Sequence, residues 1–453
     1  MSATKQQSSV RDTVAAGTGG LADASLKEAL AVLGTGVVPA LVRGLFAPRR
    51  GAMKLLTRVD ADGRAISVLT GVRRRHGGEG VRLLGGRLIV LWGADAIREV
   101  LDRSAELYAS DAGAKAKGMS HFQPDALTLS RGPDWRDRRP FNEVVLASRE
   151  RVHPDGRRFV EVVADEVDRM PLGQILEWRD WERLFDLITL RVIFGDRARC
   201  DQRLTGLLET LMRQGNRLVG LRPNDDYYEL YGALERHVRD AQPGTLLARL
   251  DEEPHSDRTR VVQQIPHWMF AMRDTLGANA YRALAAVVAD GAVERRVRED
   301  MIGADLCDPR VLDGMSYLGG CLHEAMRLWP TTPLLAREVA YDVTLAGERV
   351  PAGTQILILN VFNHRDPDHV DDADRLVPER WRAPETPDYR FNHLSNGSQD
   401  CPGGPLVLLL GKAAIAQMLA RWTLRLKEPA LPAGGPMPAM FDFYSARFSA
   451  RRR

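Results

Sequence analysis

Apolar residues recur every three or four positions through residues 135–146, 156–170, 178–194, 204–219 and 226–239, and again through 258–289. That spacing marks helices with one buried face, and it predicts a chain dominated by helix. The last stretch reads as one helix of about eight turns. Pro266 fits only in its first turns, where a missing N–H costs little. Extended structure is predicted toward the two ends of the chain. Residues 81–92 read as a hairpin turning at Gly85-Gly86, with a helix over 94–103 after it. Short strands are expected at 343–345, 355–360 and 441–448, and an apolar helix at 405–422. Residues 104–129 follow no period and read as a long loop carrying Met119, Phe122 and Pro124. Loops of that length inside a chain are usually functional or mobile. The fold class is mainly α with small β-sheets.

Composition narrows the partners. With 63 basic and 60 acidic residues the net charge is +3, so nothing demands nucleic acid, and Arg451–Arg453 reads as a solvated tail. The four cysteines, Cys200, Cys307, Cys321 and Cys401, form no CxxC pair, which argues against a structural zinc site or a disulfide framework and suits a reducing compartment. Residues 1–25 are small and polar, a mobile leader. Residues 29–42 are an uncharged run of 14 interrupted by Gly and Pro and stopped by Arg43. A spanning helix needs about 20 apolar residues. The run therefore reads as a packed or surface-lying helix, and residues 29–47 as the place where the chain would touch a membrane without crossing it. The boundaries expected are a leader with a short apolar helix over 1–48 and a single domain over 49–453.

Four constellations carry chemistry. Residues 394–403, Leu-Ser-Asn-Gly-Ser-Gln-Asp-Cys-Pro-Gly, set Cys401 at the mouth of the 405–422 helix. Unpaired N–H groups and the positive end of the backbone dipole favour a thiolate there, the form that ligates metal or attacks an electrophile. Asp274 and Thr275 stand side by side inside the long helix, where both are poor helix formers. Thr275 would bond back to the carbonyl of Ala271 and bend the helix. The pair is either a solvent-facing Asp beside a backbone-bonded Thr, or an acid and an alcohol that pass protons. Glu324 and Arg327 share one helix face. They are either an exposed pair worth a few tenths of a kcal/mol, or a buried one needing a second arginine, for which Arg380 is the candidate. Trp135 and Arg139, one turn apart, offer an indole N–H and a guanidinium to a carboxylate, or form a basic surface helix with one anchoring Trp.

In this order the pieces resemble the cytochrome P-450 superfamily. The matching residues are Trp135 with Arg139, Ala271-x-x-Asp274-Thr275, Glu324-x-x-Arg327, Pro351-Ala352-Gly353-Thr354, Asn363-His364-Arg365-Asp366-Pro367, Pro378-Glu379-Arg380-Trp381 and Gly397-x-x-x-Cys401-x-Gly403. The likeness runs from about residue 50 to the C-terminus. It implies the cytochrome P-450 fold, with heme b between the long helix and the cysteine loop and Cys401 as the axial thiolate on iron. It implies Asp274 and Thr275 as the distal acid–alcohol pair, and Glu324, Arg327 and Arg380 as a structural network on the proximal side. Trp135, Arg139 and Arg337 match positions that bind haem propionates, while Ala271, Leu394, Gly397 and Gly403 match positions lining the cofactor.

The activity implied is a cytoplasmic, monomeric, bacterial-type monooxygenase that inserts one oxygen atom from O2 into an apolar small molecule. Electrons would come from NAD(P)H through a separate ferredoxin and ferredoxin reductase, which Arg136, Arg138 and Lys412 would dock. Met119, Phe122 and Phe441 are the candidates for the substrate lining. Three positions depart from the family pattern: Leu394 replaces a Phe, neutral Gln399 replaces a base, and Met272 replaces the glycine that leaves room for O2. Two other readings stay open, a peroxygenase using H2O2, and a degenerate member that docks onto a partner.

Overall fold

The segments with helical period are helices: Gly132–Val145, Gly156–Asp168, Trp178–Phe194, Gln202–Gly215 and Asp225–Arg239. The computed structural model describes residues 19–111, 113–382 and 387–453. The leader expected over 1–25 lies outside the described residues as far as residue 18. Pro133 opens its helix in the first turn, where it gives up no needed N–H. Asn224 caps the helix Asp225–Arg239 by accepting the Tyr227 N–H at 3.1 Å.

The long helical stretch begins at Val261, after Arg260 in the left-handed region, so that Pro266 falls in its second turn. It runs as Val261–Phe270, then one π-helical turn at Ala271–Leu276, then Gly277–Ala289. Its flanks are buried on nearly every side, with Ile265, Met269, Leu276, Ala280, Leu284 and Val287 at 0% exposure. The helix Gly404–Arg421 packs across it. That approach needs Gly411, where a Cβ would stand 2.5 Å from Leu322 and 3.2 Å from Leu276. By length and composition Gly404–Arg421 is apolar enough to cross a membrane, yet Ala413, Ile415, Met418 and Leu419 are fully buried in the protein core.

Strands are short and lie at the margins. β1 (Leu21–Asp23), β2 (Gly80–Leu83), β3 (Leu88–Leu91), β4 (Tyr108–Ala109), β6 (Leu335–Val339) and β9 (Gln355–Ile358) make a sheet in the order β1-β2-β3-β9-β6-β4. β2 and β3 are the expected hairpin, closed at Gly85 and Gly86, both at positive φ. β5 (Ile175–Glu177), β10 (Trp422–Glu428) and β11 (Arg447–Arg452) form a second sheet, and β7 (Val343–Leu345) with β8 (Glu348–Val350) a third.

Three expectations need correction. The strand predicted at 441–448 starts later, because Asp442 accepts the Tyr444 N–H and turns the chain through a 3-10 segment, Phe443–Ser445. Arg451 and Arg452 are not a loose tail but part of β11, with Arg452 reaching Asp168 at 3.0 Å. The irregular stretch 104–129 holds a short helix, Gly113–Met119, and a 3-10 turn, Leu127–Leu129.

Candidate functional site

The cysteine loop is fixed by backbone rather than by packing. Gly397 has φ +70°, and a Cβ there would lie 2.4 Å from the Leu101 backbone, so only glycine fits. Ser398 Oγ accepts the Ala105 N–H (3.3 Å) and donates to the Leu101 carbonyl (3.2 Å). The chain then doubles back, with the Cys401 N–H donating to the Leu394 carbonyl at 2.9 Å. Leu394 thus serves the loop through its carbonyl while its side chain packs on the main core. Gly403 caps the helix Gly404–Arg421 with ordinary negative φ and room for a Cβ. Burial pushes the Cys401 thiol up, and the Gly403 N–H and the Arg139 charge oppose that shift. A buried thiol of this kind gives up its proton when a metal cation takes the proton's place.

Along the long helix His267, Phe270, Ala271, Asp274 and Thr275 are half-buried while their neighbours on the other faces are buried. They recur at three- and four-residue steps and make one continuous stripe. The π turn lies where Asp274 and Thr275 sit. Thr275 makes no back-bond to Ala271 among the described residues, so the distortion is the π turn and not a threonine bend. Met272 points off the stripe and is 5% exposed in the core, so its bulk does not fall on the face shared by Ala271 and Thr275.

Asp274 is no solvent-facing residue. Its Oδ1 accepts from Arg273 Nη1 at 2.9 Å and its Oδ2 is buried without a partner among the described residues. Burial lifts its carboxyl to about 6, with Arg273 opposing and Asp186, Glu182 and Glu209 reinforcing the rise. Arg273 is itself buried and ties together Asp274, Asp186 (2.5 Å, from helix Trp178–Phe194) and Glu209 (3.1 Å, from helix Gln202–Gly215). Neither Arg273 nor its distant carboxylates were singled out by the spacing of motifs. A buried-face residue with a charge, Arg273 within an apolar helix, was the available signal.

Glu324 and Arg327 are both fully buried and paired through two bonds, Nε–Oε1 at 2.6 Å and Nη2–Oε2 at 2.7 Å. The remaining Arg327 donors reach the carbonyls of His364, Ala373 and Arg375. Glu324 also accepts from the Val377 N–H (2.8 Å) and the Trp381 indole (2.9 Å). Every lone pair and proton is met, the condition under which a buried pair is tolerated. Arg380 stands 3.5 Å from Glu324, beyond a good hydrogen bond, and Trp381 fills the place expected of it.

The expected propionate contacts divide. Arg337 on β6 is 5% exposed and, among the described residues, bonds only Ser104 Oγ (2.9 Å) and the Ala336 carbonyl (3.0 Å). Trp135 is half-buried on the helix Gly132–Val145. Arg139 is spent on Glu143 (2.6 Å) and on Asp400, whose carbonyl it meets at 2.7 Å. The expected docking face does not assemble. Arg136 is exposed, but Arg138 is 4% exposed, holding Asp125 (2.9 Å) and the Arg258 carbonyl, and Lys412 is 5% exposed, donating to the Asp313 carbonyl (3.0 Å). Met119, Phe122 and Phe441 are buried as well. Half-buried Phe270, which packs edge-on against Phe122 at 6.4 Å, is the aromatic residue on the stripe.

A family model described as cytochrome P-450 matches residues 179–433, more than half of the chain. The chain belongs to the cytochrome P-450 family. Cyclooctat-9-en-7-ol 5-monooxygenase of Streptomyces melanosporofaciens is 28% identical over 66% of this chain and 73% of its own length. Two Drosophila melanogaster proteins, named probable cytochrome P-450 4d21 and cytochrome P-450 4d2, are each 27% identical, over 44% and 40% of this chain. The matched part spans 39% and 37% of those two insect proteins. Membership in this cytochrome P-450 family implies a haem with an axial cysteine thiolate. The residues present fit such a group. A cysteine sits in a backbone-fixed loop, a stripe of half-buried residues runs along the helix that the cysteine's own helix packs on, and Arg337 is a buried cation with no carboxylate bonded to it among the described residues.

Proposed function

We propose that the protein is a haem-thiolate monooxygenase acting on an apolar small molecule, with residues 49–453 as its haem domain and heme b as its cofactor. The observation that carries this reading is Cys401, held in a glycine-locked loop ahead of a core helix that packs on the helix bearing Asp274 and Thr275. Haem, when bound, supplies the iron at which O2 is activated and one oxygen atom is passed to substrate. Cys401 would hold the iron of that group through its sulfur, and the glycine-locked loop fixes the cysteine backbone. Arg337 and Trp135 would meet its carboxylates. Asp274 holds a proton at Oδ2 beside Thr275, and Arg273, which stays protonated, fixes its carboxyl by donating to Oδ1 while also holding half-exposed Glu209. Electrons arrive from NAD(P)H through a ferredoxin and its reductase.

The side chain of Arg273 supports O2 rather than peroxide as the oxidant, because its guanidinium is committed to three carboxylates and leaves the stripe to Asp274 and Thr275. An apolar substrate is supported by Ala271 and Phe270 on that stripe, and by the Streptomyces relative named as a monooxygenase of cyclooctat-9-en-7-ol. We also infer a peripheral contact with lipid through the N-terminal helices, supported by the exposure of Leu26 and Leu30.

The absorbance spectrum of the reduced, CO-bound protein tests the reading. A red-shifted Soret band that Cys401→Ser abolishes is expected. A band at the position given by a neutral proximal ligand in the unmutated protein overturns it.

A further inference from the structure

A surface cavity of about 430 Å³ is lined by none of the residues of the candidate site. Its walls come from three consecutive helices, Gly291–Asp300, Pro309–Gly314 and Ser316–Leu328, and from Arg382 just after the 3-10 segment Pro378–Trp381. That volume falls in the range of small-ligand pockets, roughly 300–1000 Å³.

Three arginines on three separate segments line it, Arg296, Arg310 and Arg382, against one lining carboxylate, Asp300. All three arginines are exposed. Arg296 meets Glu299 at 3.4 Å, and Arg382 stands 4.0 Å from Glu379. The side chain of Arg310 bonds no carboxylate among the described residues, only its backbone N–H being held by Asp308. Exposed pairs of this kind are weak, so most of the guanidinium donors are left to a ligand.

The helix Ser316–Leu328, 13 residues long, begins in this cavity, and no side chain caps it. Gly319 is the first residue to donate back, to the Met315 carbonyl at 3.0 Å. The N–H groups of Ser316, Tyr317 and Leu318 meet no acceptor among the described residues, and the positive end of the backbone dipole lies with them. Tyr317 singles this helix start out. It lines the cavity and is only 8% exposed, yet its hydroxyl bonds nothing among the described residues. The Arg296 guanidinium lies over its ring at 5.9 Å. Burial pushes the Tyr317 hydroxyl up to about 12, with Cys321 and Glu379 adding to the rise and Arg296 opposing it, so the hydroxyl keeps its proton to donate. A largely buried hydroxyl is costly to leave unbonded.

Guanidiniums, free helix N–H groups and a protonated hydroxyl are all donors, and phosphoryl oxygens are the acceptors that suit such a set. Three guanidiniums offer more donors than a single phosphate takes, which favours two linked phosphates. We propose that this cavity binds the diphosphate group of a small molecule, held by Arg296, Arg310 and Arg382, with Tyr317 and the start of its helix as further donors. Equilibrium dialysis of the holoprotein against labelled pyrophosphate, at about 150 mM salt to screen loose charge attraction, tests this. Saturation at one pyrophosphate per chain is expected. Arg310→Gln, Arg382→Gln and Tyr317→Phe are each expected to weaken binding on the order of tenfold, the size of one charge-assisted hydrogen bond. Arg295→Gln, exposed on the same helix as Arg296 but outside the cavity lining, is expected to leave binding unchanged. Thermal midpoints close to that of the unmutated protein separate lost binding from lost folding, and Tyr317→Phe keeps the buried ring. Absence of saturation overturns the proposal, as does an equal loss in Arg295→Gln or orthophosphate binding as tightly as pyrophosphate. Displacement of pyrophosphate by an equal concentration of hexaglutamate also overturns it, and would make the cavity a docking face for an acidic protein.

Discussion

Asp274 is where burial and charge meet most directly. A carboxyl at about 6 carries a proton below that pH and loses it above. The step that draws on this proton is therefore expected to weaken as pH rises through about 6. Product formed per NAD(P)H consumed, measured across pH, should show that falling limb, and Asp274→Asn should flatten it. Glu209 supplies a movable control, because its negative charge pushes the Asp274 carboxyl upward and it is half-exposed. Glu209→Gln should shift the limb to lower pH without unfolding the protein. A limb that stays put in both variants means that Asp274 is not the proton donor. The adjacent Asp and Thr were legible in the sequence as out of place in a helix. The ring of Asp186, Glu182 and Glu209 around Arg273 was not, since those carboxylates come from two other helices and only the tertiary packing gathers them.

At the scale of elements, the helices were legible because each buries one face and so keeps a strict period. The strand at 441–448 was misplaced because an Asp-capped turn and a strand share the same apolar, aromatic composition. The helix Gly113–Met119 was invisible because seven residues with two glycines carry too few turns to show a period. The cysteine loop gives a sharper test of what the elements require. Its two glycines look equivalent in sequence but differ in backbone. Gly397 is left-handed and touches Leu101, whereas Gly403 has φ −91° and its nearest neighbour, Leu146, is 3.8 Å from an added Cβ. Gly397→Ala should cost about 2–6 kcal/mol from strain and overpacking together. Gly403→Ala should cost about 1 kcal/mol, the scale of a changed cap. Urea denaturation of the two variants distinguishes them, and equal losses would show that the loop is not held at Leu101.

For the whole molecule the informative surface is the one the N-terminal helices present. Leu26, Leu30, Val38, Leu41 and Val42 are all exposed on helices between residues 26 and 43, and Leu55 is exposed on the next helix, Arg50–Arg58. Residues 216–224 join this face: Asn216 accepts the Phe46 N–H (3.0 Å) and donates to the Ala47 carbonyl (2.7 Å), and beyond it Val219 is 77% exposed. Around these apolar residues stand exposed Lys27, Arg49, Lys54, Arg58, Arg217 and Arg222. Apolar side chains ringed by bases match a bilayer with anionic headgroups, where burial and charge attraction add. The uncharged run 29–42 is shorter than a span, so the contact proposed is one of lying on the surface. Flotation with vesicles of anionic lipid should carry the protein upward, and neutral vesicles should carry much less of it. Replacing Leu26, Leu30 and Val219 together by Ser should abolish flotation while leaving the thermal midpoint nearly unchanged, since these side chains are 61–77% exposed. Equal binding to neutral and anionic vesicles, or full flotation of the triple variant, would refute a lipid contact at this face and return these helices to a purely structural role.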